Sequence, residues 1–177
     1  LATQATTTAG TAHTADDNAN SEILTFYKGP FGDSGKTLTI TPGSTLDDIV
    51  AKINGDTNVG TYLTAAKVGN KLQITSKAYG SGGTYFVSSS QSAAANNSGI
   101  GIESIQGIGT DVAGTINGES ATGRGQCLTG DDKPNAKVAG LQIRVNSATI
   151  GDKGKIVFSQ GIAAQAFFRS REVTDAL

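Results

Sequence analysis

Between Lys36 and Gly80 the sequence KTLTITPGSTLDDIVAKINGDTNVGTYLTAAKVGNKLQITSKAYG passes through strand, capped-helix and hairpin signals without a gap. Thr37 to Thr41 alternates Thr with aliphatic residues, the two-residue period of a half-buried strand, and Pro42-Gly43 ends it. The spacing predicts an N-cap at Ser44, with Asp47 and Asp48 complementing the unpaired N–H groups at the positive end of a helix dipole. Leu46, Ile49, Val50 and Ile53 then form one apolar stripe at helical spacing, and Asn54-Gly55 supplies a left-handed stop. A helix of about ten residues is marginal alone in water, so this stripe must lie on a sheet. Tyr62 to Val68 and Lys71 to Ser76, around Gly69-Asn70, read as the hairpin that provides one.

The flanking segments are of other kinds. Residues 1–22 are almost entirely Ala, Thr, Asn and Asp with no apolar period, which predicts an extended arm pairing at a sheet edge near Leu1 to Thr8, or a disordered lead-in. Ile23 to Tyr27 reads as a strand, Lys28 to Gly35 as a turn, and Thr84 to Ser88 as a strand after the loop Gly80 to Gly83. Ser89 to Gly99, SSQSAAANNSG, is a polar connector and the expected domain boundary. Beyond it Ile100 to Ile108, Thr110 to Ile116, Gly125 to Leu128, Leu141 to Val145 and Lys155 to Ser159 are short runs between Gly-rich turns, the spacing of a small sandwich or barrel. From Gly161 to Leu177 the alternation stops, and Ile162, Gln165, Ala166, Arg169 and Val173 predict the start of a helix.

Composition narrows the function classes. With 24 Gly, 16% charged residues and no Trp, the chain reads as a secreted β-rich surface protein rather than a metabolic enzyme. Fourteen basic residues against 15 acidic ones offer no field for nucleic acid or an anionic membrane, and no run reaches membrane-spanning length. Cys127 is the only cysteine, which excludes an intramolecular disulfide. The chain has no Met and begins at Leu1, so it is expected to be a fragment of a longer protein.

Catalytic chemistry has few carriers. A nucleophile needs a base beside it, yet His13 is the only histidine and lies in the polar arm. Cys127 reads as a small apolar residue of a strand, and Ser120 in GESATG lacks the form of a nucleophile elbow. Gly99, Gly101, Gly107 and Gly109 fit no phosphate-binding spacing and read as turns and bulges. Asp47, Asp48, Asp56, Asp131 and Asp132 have no calcium-loop spacing and read as solvated carboxylates. Asn96-Asn97-Ser98 is formally a glycosylation acceptor and reads as loop. The expectation is therefore a non-enzyme with no catalytic, cofactor-binding or metal residues and no cofactor; the partner-binding residues remain unassigned.

One resemblance gives a direction. The run TLTITPGSTLDDIVAKIN and the hairpin ending LQITSKAYG resemble the hook IN motif of flagellar axial proteins. AGTINGESATGRGQCLTG (residues 113–130), AGLQIRV (139–145) and GKIVFSQGIA (154–163) are similar, in that order, to the hook-associated protein 2 family of flagellar filament caps, as is the opening LATQATTTAG. The matching segments span most of the chain. The resemblance implies a β-rich α+β fold in two small lobes. The inner lobe is sandwich- or barrel-like, from residues 1–30 and 99–177, with a coiled-coil helix starting near 162–177. The inserted outer lobe, residues 31–98, carries one short helix on an antiparallel sheet. It further implies an extracellular place at the flagellum tip, flagellin subunits as partners, homo-oligomer formation in the full-length protein, and contact with host mucin or glycan in some bacteria. The alternative is a surface adhesin or glycan-binding module using Tyr27, Tyr62, Tyr79, Tyr85 or Phe31 as stacking surfaces.

Overall fold

The computed structural model describes residues 1–14, 20–134, 136–147 and 149–157. Among these residues eleven strands and one α-helix follow in chain order: β1 (Gln4–Thr8), β2 (Glu22–Tyr27), β3 (Lys36–Ile40), α1 (Leu46–Gly55), β4 (Leu63–Val68), β5 (Lys71–Tyr79), β6 (Tyr85–Ser89), β7 (Ile105–Gly107), β8 (Gly114–Ile116), β9 (Glu119–Arg124), β10 (Cys127–Gly130) and β11 (Gln142–Arg144). All pairings between these strands are antiparallel. The strands make three sheets, ordered β1-β5-β4, β3-β2-β6-β7 and β11-β10-β9-β8. The last is curled into a half-barrel, and the whole is a β-rich α+β fold.

The unit from Lys36 to Tyr79 forms as its periodicity predicts, with two local corrections. The N-cap is Thr45, not Ser44: Thr45 Oγ1 accepts the Asp48 amide at 3.2 Å while Asp48 Oδ2 accepts the Thr45 amide at 3.0 Å, a complete capping box. Ser44 is withdrawn from that role because its hydroxyl donates to Thr41 O at 2.8 Å. Nor is Asn54-Gly55 a left-handed stop. Helical backbone runs to Gly55 and the chain leaves through Asp56 in an extended conformation, because the Asp56 carboxylate accepts the amides of Asn58 and Val59 at 2.9 and 2.8 Å. Leu46, Ile49 and Ile53 are buried, with Val50 packed beside them. They join Leu63, Ala65, Leu72 and Ile74 from the hairpin.

Long-range pairing joins segments on either side of residues 31–98. β2 pairs with β3 on one side and β6 on the other, and β6 pairs with β7. Residues on both sides of the 31–98 segment therefore share its sheet. Ala5, Leu24, Phe26 and Ile100 belong to the same apolar cluster as Leu38, Ile49, Tyr85 and Val87. A second, smaller cluster of Val112, Ile116, Leu128 and Val138 lies under the half-barrel. The apolar interior thus falls into two clusters, the first reaching Ile105 and the second, which Ala2 also packs against, starting at Val112. Ser89 to Gly99 is correspondingly no linker. Glu22, fully buried at the start of β2, accepts hydrogen bonds from the hydroxyls of Ser89 and Ser98, both at 2.5 Å, and from the Ser98 amide at 3.0 Å. A buried carboxylate needs such donors, and supplying them folds the connector onto the core.

The arm pairs as an edge strand: β1 lies against β5, with Ala5 and Thr7 turned inward. Strand β9 was not predicted from sequence, and the runs at 100–108 and 110–116 contain only three-residue strands. Residues 155–157 are not strand, while Phe158 and Ser159 and the helix predicted from Ile162 onward lie outside the described residues. Among the described residues no helix is long and apolar enough to cross a membrane.

Candidate functional site

The residues that carry chemistry are dispersed. His13 packs on the first cluster's side of the molecule. Its main-chain amide donates to Asn70 O, and its Nδ1 lies 2.9 Å from Asn97 O, a carbonyl that only accepts, so Nδ1 carries the proton. Its Nε2 is buried with no partner among the described residues. Cys127 is half-buried on β10, where its cross-strand neighbours are Arg124 and Arg144. Ser120 lies within β9 opposite Thr115; it is a strand residue, not the apex of a turn. No hydrogen bond links these three side chains to one another.

The carboxylates are engaged singly. Asp48 belongs to the helix cap, and the Thr45 hydroxyl and amide that donate to it hold its carboxyl below the usual range. Asp47 pairs with Lys67 Nζ at 3.2 Å. Asp131 accepts from Thr122 Oγ1 at 2.7 Å, which lowers its pKa. Among the described residues no group of three or more His, Cys, Asp or Glu is arranged to hold a metal ion.

Asp111 has a role that sequence reading missed. It stands at the passage between the two clusters and accepts the Ser81 hydroxyl at 2.6 Å, the Ser81 amide at 3.0 Å and the Gly125 amide at 2.6 Å. These donors, the Ser81 hydroxyl first, hold its carboxyl below the usual range. Beside it, Thr3 pairs with Thr110, and Gly80 donates to Thr3 O. The arm, the end of β5 and the start of the half-barrel are thus stitched at one point. The only sequence signal was a lone Asp between two glycine-rich turns.

Of the five aromatic residues expected to offer a stacking surface, the structure removes two. Tyr85 is fully buried; its hydroxyl donates to Ile74 O at 2.6 Å and lies 2.8 Å from Thr7 Oγ1, and burial pushes the phenol up to about 12. Phe31 is buried and meets Tyr62 edge-on. Both are core residues because strand alternation and the turn at Gly29–Phe31 aim them inward. Tyr62 and Tyr79 remain exposed. Tyr27 is half-buried and stacks on Phe86, its cross-strand partner, with centroids 5.4 Å apart. Thr25, Ser88 and Gln106 share that outer face by register. Asn96-Asn97-Ser98 is loop, as read; Asn96 is half-buried and the Ser98 hydroxyl is committed to Glu22.

A concavity lies along the half-barrel. About 820 Å³ in volume, it is lined by Val112, Ile116, Leu128, Ile143 and Val145 on the sheet side and by residues 149–156 on the rim. The sheet curls tightly where β9 passes Val112. A Cβ on Gly123 would stand 1.6 Å from Val112 O, so only glycine fits there.

Comparison with known proteins adds no relative: no family model, curated protein or solved structure matches the chain.

Proposed function

We propose that this chain is the head region of a flagellar filament cap, a structural protein without catalytic activity or cofactor that acts outside the cell at the filament tip and aids the polymerisation of flagellin. The observation that carries this reading is the hook IN-like run from Thr37 to Gly80. Within it the capped helix packs on the hairpin that follows, while the strand before it joins the neighbouring sheet; the capped helix on its hairpin is what supports the reading. The dispersal of His13, Cys127 and Ser120 supports a role built on surface and assembly rather than on a reacting centre. In this reading the partners are flagellin subunits and further copies of the full-length protein.

A second reading, a surface adhesin or glycan-binding module, draws on the stacked Tyr27–Phe86 pair and the hydroxyl and amide side chains of Thr25, Ser88 and Gln106 on the same face. One experiment separates the two. Because residues 31–98 share their core with the rest of the chain, the informative deletion is that of the whole gene. Loss of long filaments, with unpolymerised flagellin released into the medium, is the cap outcome. Normal filaments with reduced attachment to mucin or glycan refute it and favour the adhesin.

A further inference from the structure

Among the described residues, the rim of the half-barrel groove is fastened by a single side chain. Asn117 Nδ2 donates to Ile156 O at 2.7 Å, and Asn117 Oδ1 accepts from Ile156 N at 3.1 Å. Among the described residues, the other hydrogen bonds of 149–157 are internal to that stretch or reach only to Ser147. The side-chain amide thus mimics a strand neighbour, and the stretch is a strap latched at one point. All its residues except Ile156 are exposed, Ile150 and Val157 to 88% and 87%.

Asn117 is followed by Gly118 in the turn joining β8 to β9. Both have left-handed φ, 52° and 86°, the pattern of a tight hairpin turn. Both are exposed, and the space around Gly118 is open. A glycine after asparagine leaves its main-chain nitrogen unhindered toward the side-chain carbonyl carbon. We infer that Asn117-Gly118 is a self-modifying site whose deamidation releases the strap from the groove. In that reaction the Gly118 nitrogen bonds to Asn117 Cγ. The Cγ–Nδ2 bond breaks and Nδ2 leaves as ammonia, taking up the proton lost by Gly118. Water then opens the cyclic imide to aspartate or isoaspartate. The product carboxylate has no donor, so the oxygen replacing Nδ2 faces the Ile156 carbonyl with nothing to offer it. Since the amide must leave Ile156 before Gly118 can attack, the rate of modification is set by how often the latch opens.

The chain holds one internal comparison. Asn54-Gly55 is the same dipeptide, but it lies in the last turn of α1 with its amide bonded to Ala65 N and O at 2.8 and 2.9 Å. Helical backbone keeps the Gly55 nitrogen away from the side-chain carbonyl carbon.

The test is ageing of the intact chain at mildly alkaline pH, followed by peptide mapping with mass spectrometry and timed trypsin digestion. Asn117 should convert to the acid ahead of Asn54. Asn117→Asp, whose turn chemistry still suits a tight hairpin, should keep native circular dichroism and be cut after Lys153 and Lys155 about tenfold faster than the parent, the effect of losing roughly one net hydrogen bond to the strap. If that variant failed to fold, the aged parent fraction carrying the acid, separated by ion exchange, would answer the same question. Conversion at Asn54 first, or unchanged cleavage after Lys153 and Lys155 once residue 117 is acidic, overturns the inference.

Discussion

Replacing Ile49 with Ala tests whether α1 is docked as its stripe requires. Ile49 is fully buried on the helix face between Leu46 and Ile53, in the cluster that includes Leu63, Leu72 and Ile74. The substitution removes three carbon atoms from that interior, a transfer loss of ~2.4 kcal/mol at ~0.8 kcal/mol for each. Incomplete collapse of the surrounding sheet adds ~1 kcal/mol or more, which gives ~3–4 kcal/mol in all and lies within the usual range for such truncations. With a urea slope of about 2 kcal/mol/M, the unfolding midpoint should fall by roughly 1.5–2 M at unchanged slope. Lys52→Ala is the companion variant, because Lys52 is exposed on the same helix outside the apolar stripe and its loss should shift the midpoint by no more than about 0.3 M. Urea titrations of both variants, followed by circular dichroism, decide the matter. Equal and small shifts would mean that α1 does not bury its stripe, and the reasoning from periodicity to packing would fail.

Thr45→Ala removes half of the capping box and should cost ~1 kcal/mol in the same titration, whereas Ser44→Ala should cost clearly less; the reverse order would return the cap to Ser44. The carboxyl of Asp111 lies below its ordinary value in the folded protein, so its stabilising effect is present above the unfolded value near 4 and is lost as pH falls through the folded one. Asp111→Asn should therefore lower thermal stability at neutral pH, and the gap from the parent should shrink as pH is taken below the ordinary carboxylate range; a gap that stays constant on acidification would exclude the charged staple.

What was legible in the sequence is what local chemistry decides. From Lys36 to Tyr79 each strand or helix neighbours its partner in the chain, and periodicity, capping residues and turn glycines agree. The misassigned cap shows the resolution of that reading: Ser44 and Thr45 are adjacent hydroxyls, and only the competing acceptor at Thr41 O separates their roles. The packing of the 89–99 connector was not legible because it depends on Glu22, an ordinary surface residue by type, finding Ser89 and Ser98 more than 60 residues away. Polar Ser89 to Gly99 looked like a linker for the same reason. Strand β9 escaped notice because its polar, glycine-containing segment ESATGR has half-buried or exposed side chains throughout and no apolar alternation, so pairing with β8 and β10 defines it. Among the site residues, Tyr85 and Phe31 were correctly seen as large aromatics, but their direction is fixed by the sheets that enclose them. Asp111 and Asn117 act through main-chain groups of distant segments, which leave no trace in side-chain spacing.

The place of β1 also bears on the order in which the molecule can be completed during synthesis. Gln4 to Thr8 is made before its partner β5, which begins with Lys71, and Thr8 meets Gln73 across 65 residues. The first strand must therefore wait, unpaired, while the ribosome supplies its neighbour. A Val- or Ile-rich strand in that position would spend the interval as an exposed adhesive segment. The sequence QATTT turns only Ala5 and Thr7 inward, and small, hydroxylated side chains keep the waiting strand soluble until β4 and β5 have formed the surface that receives it.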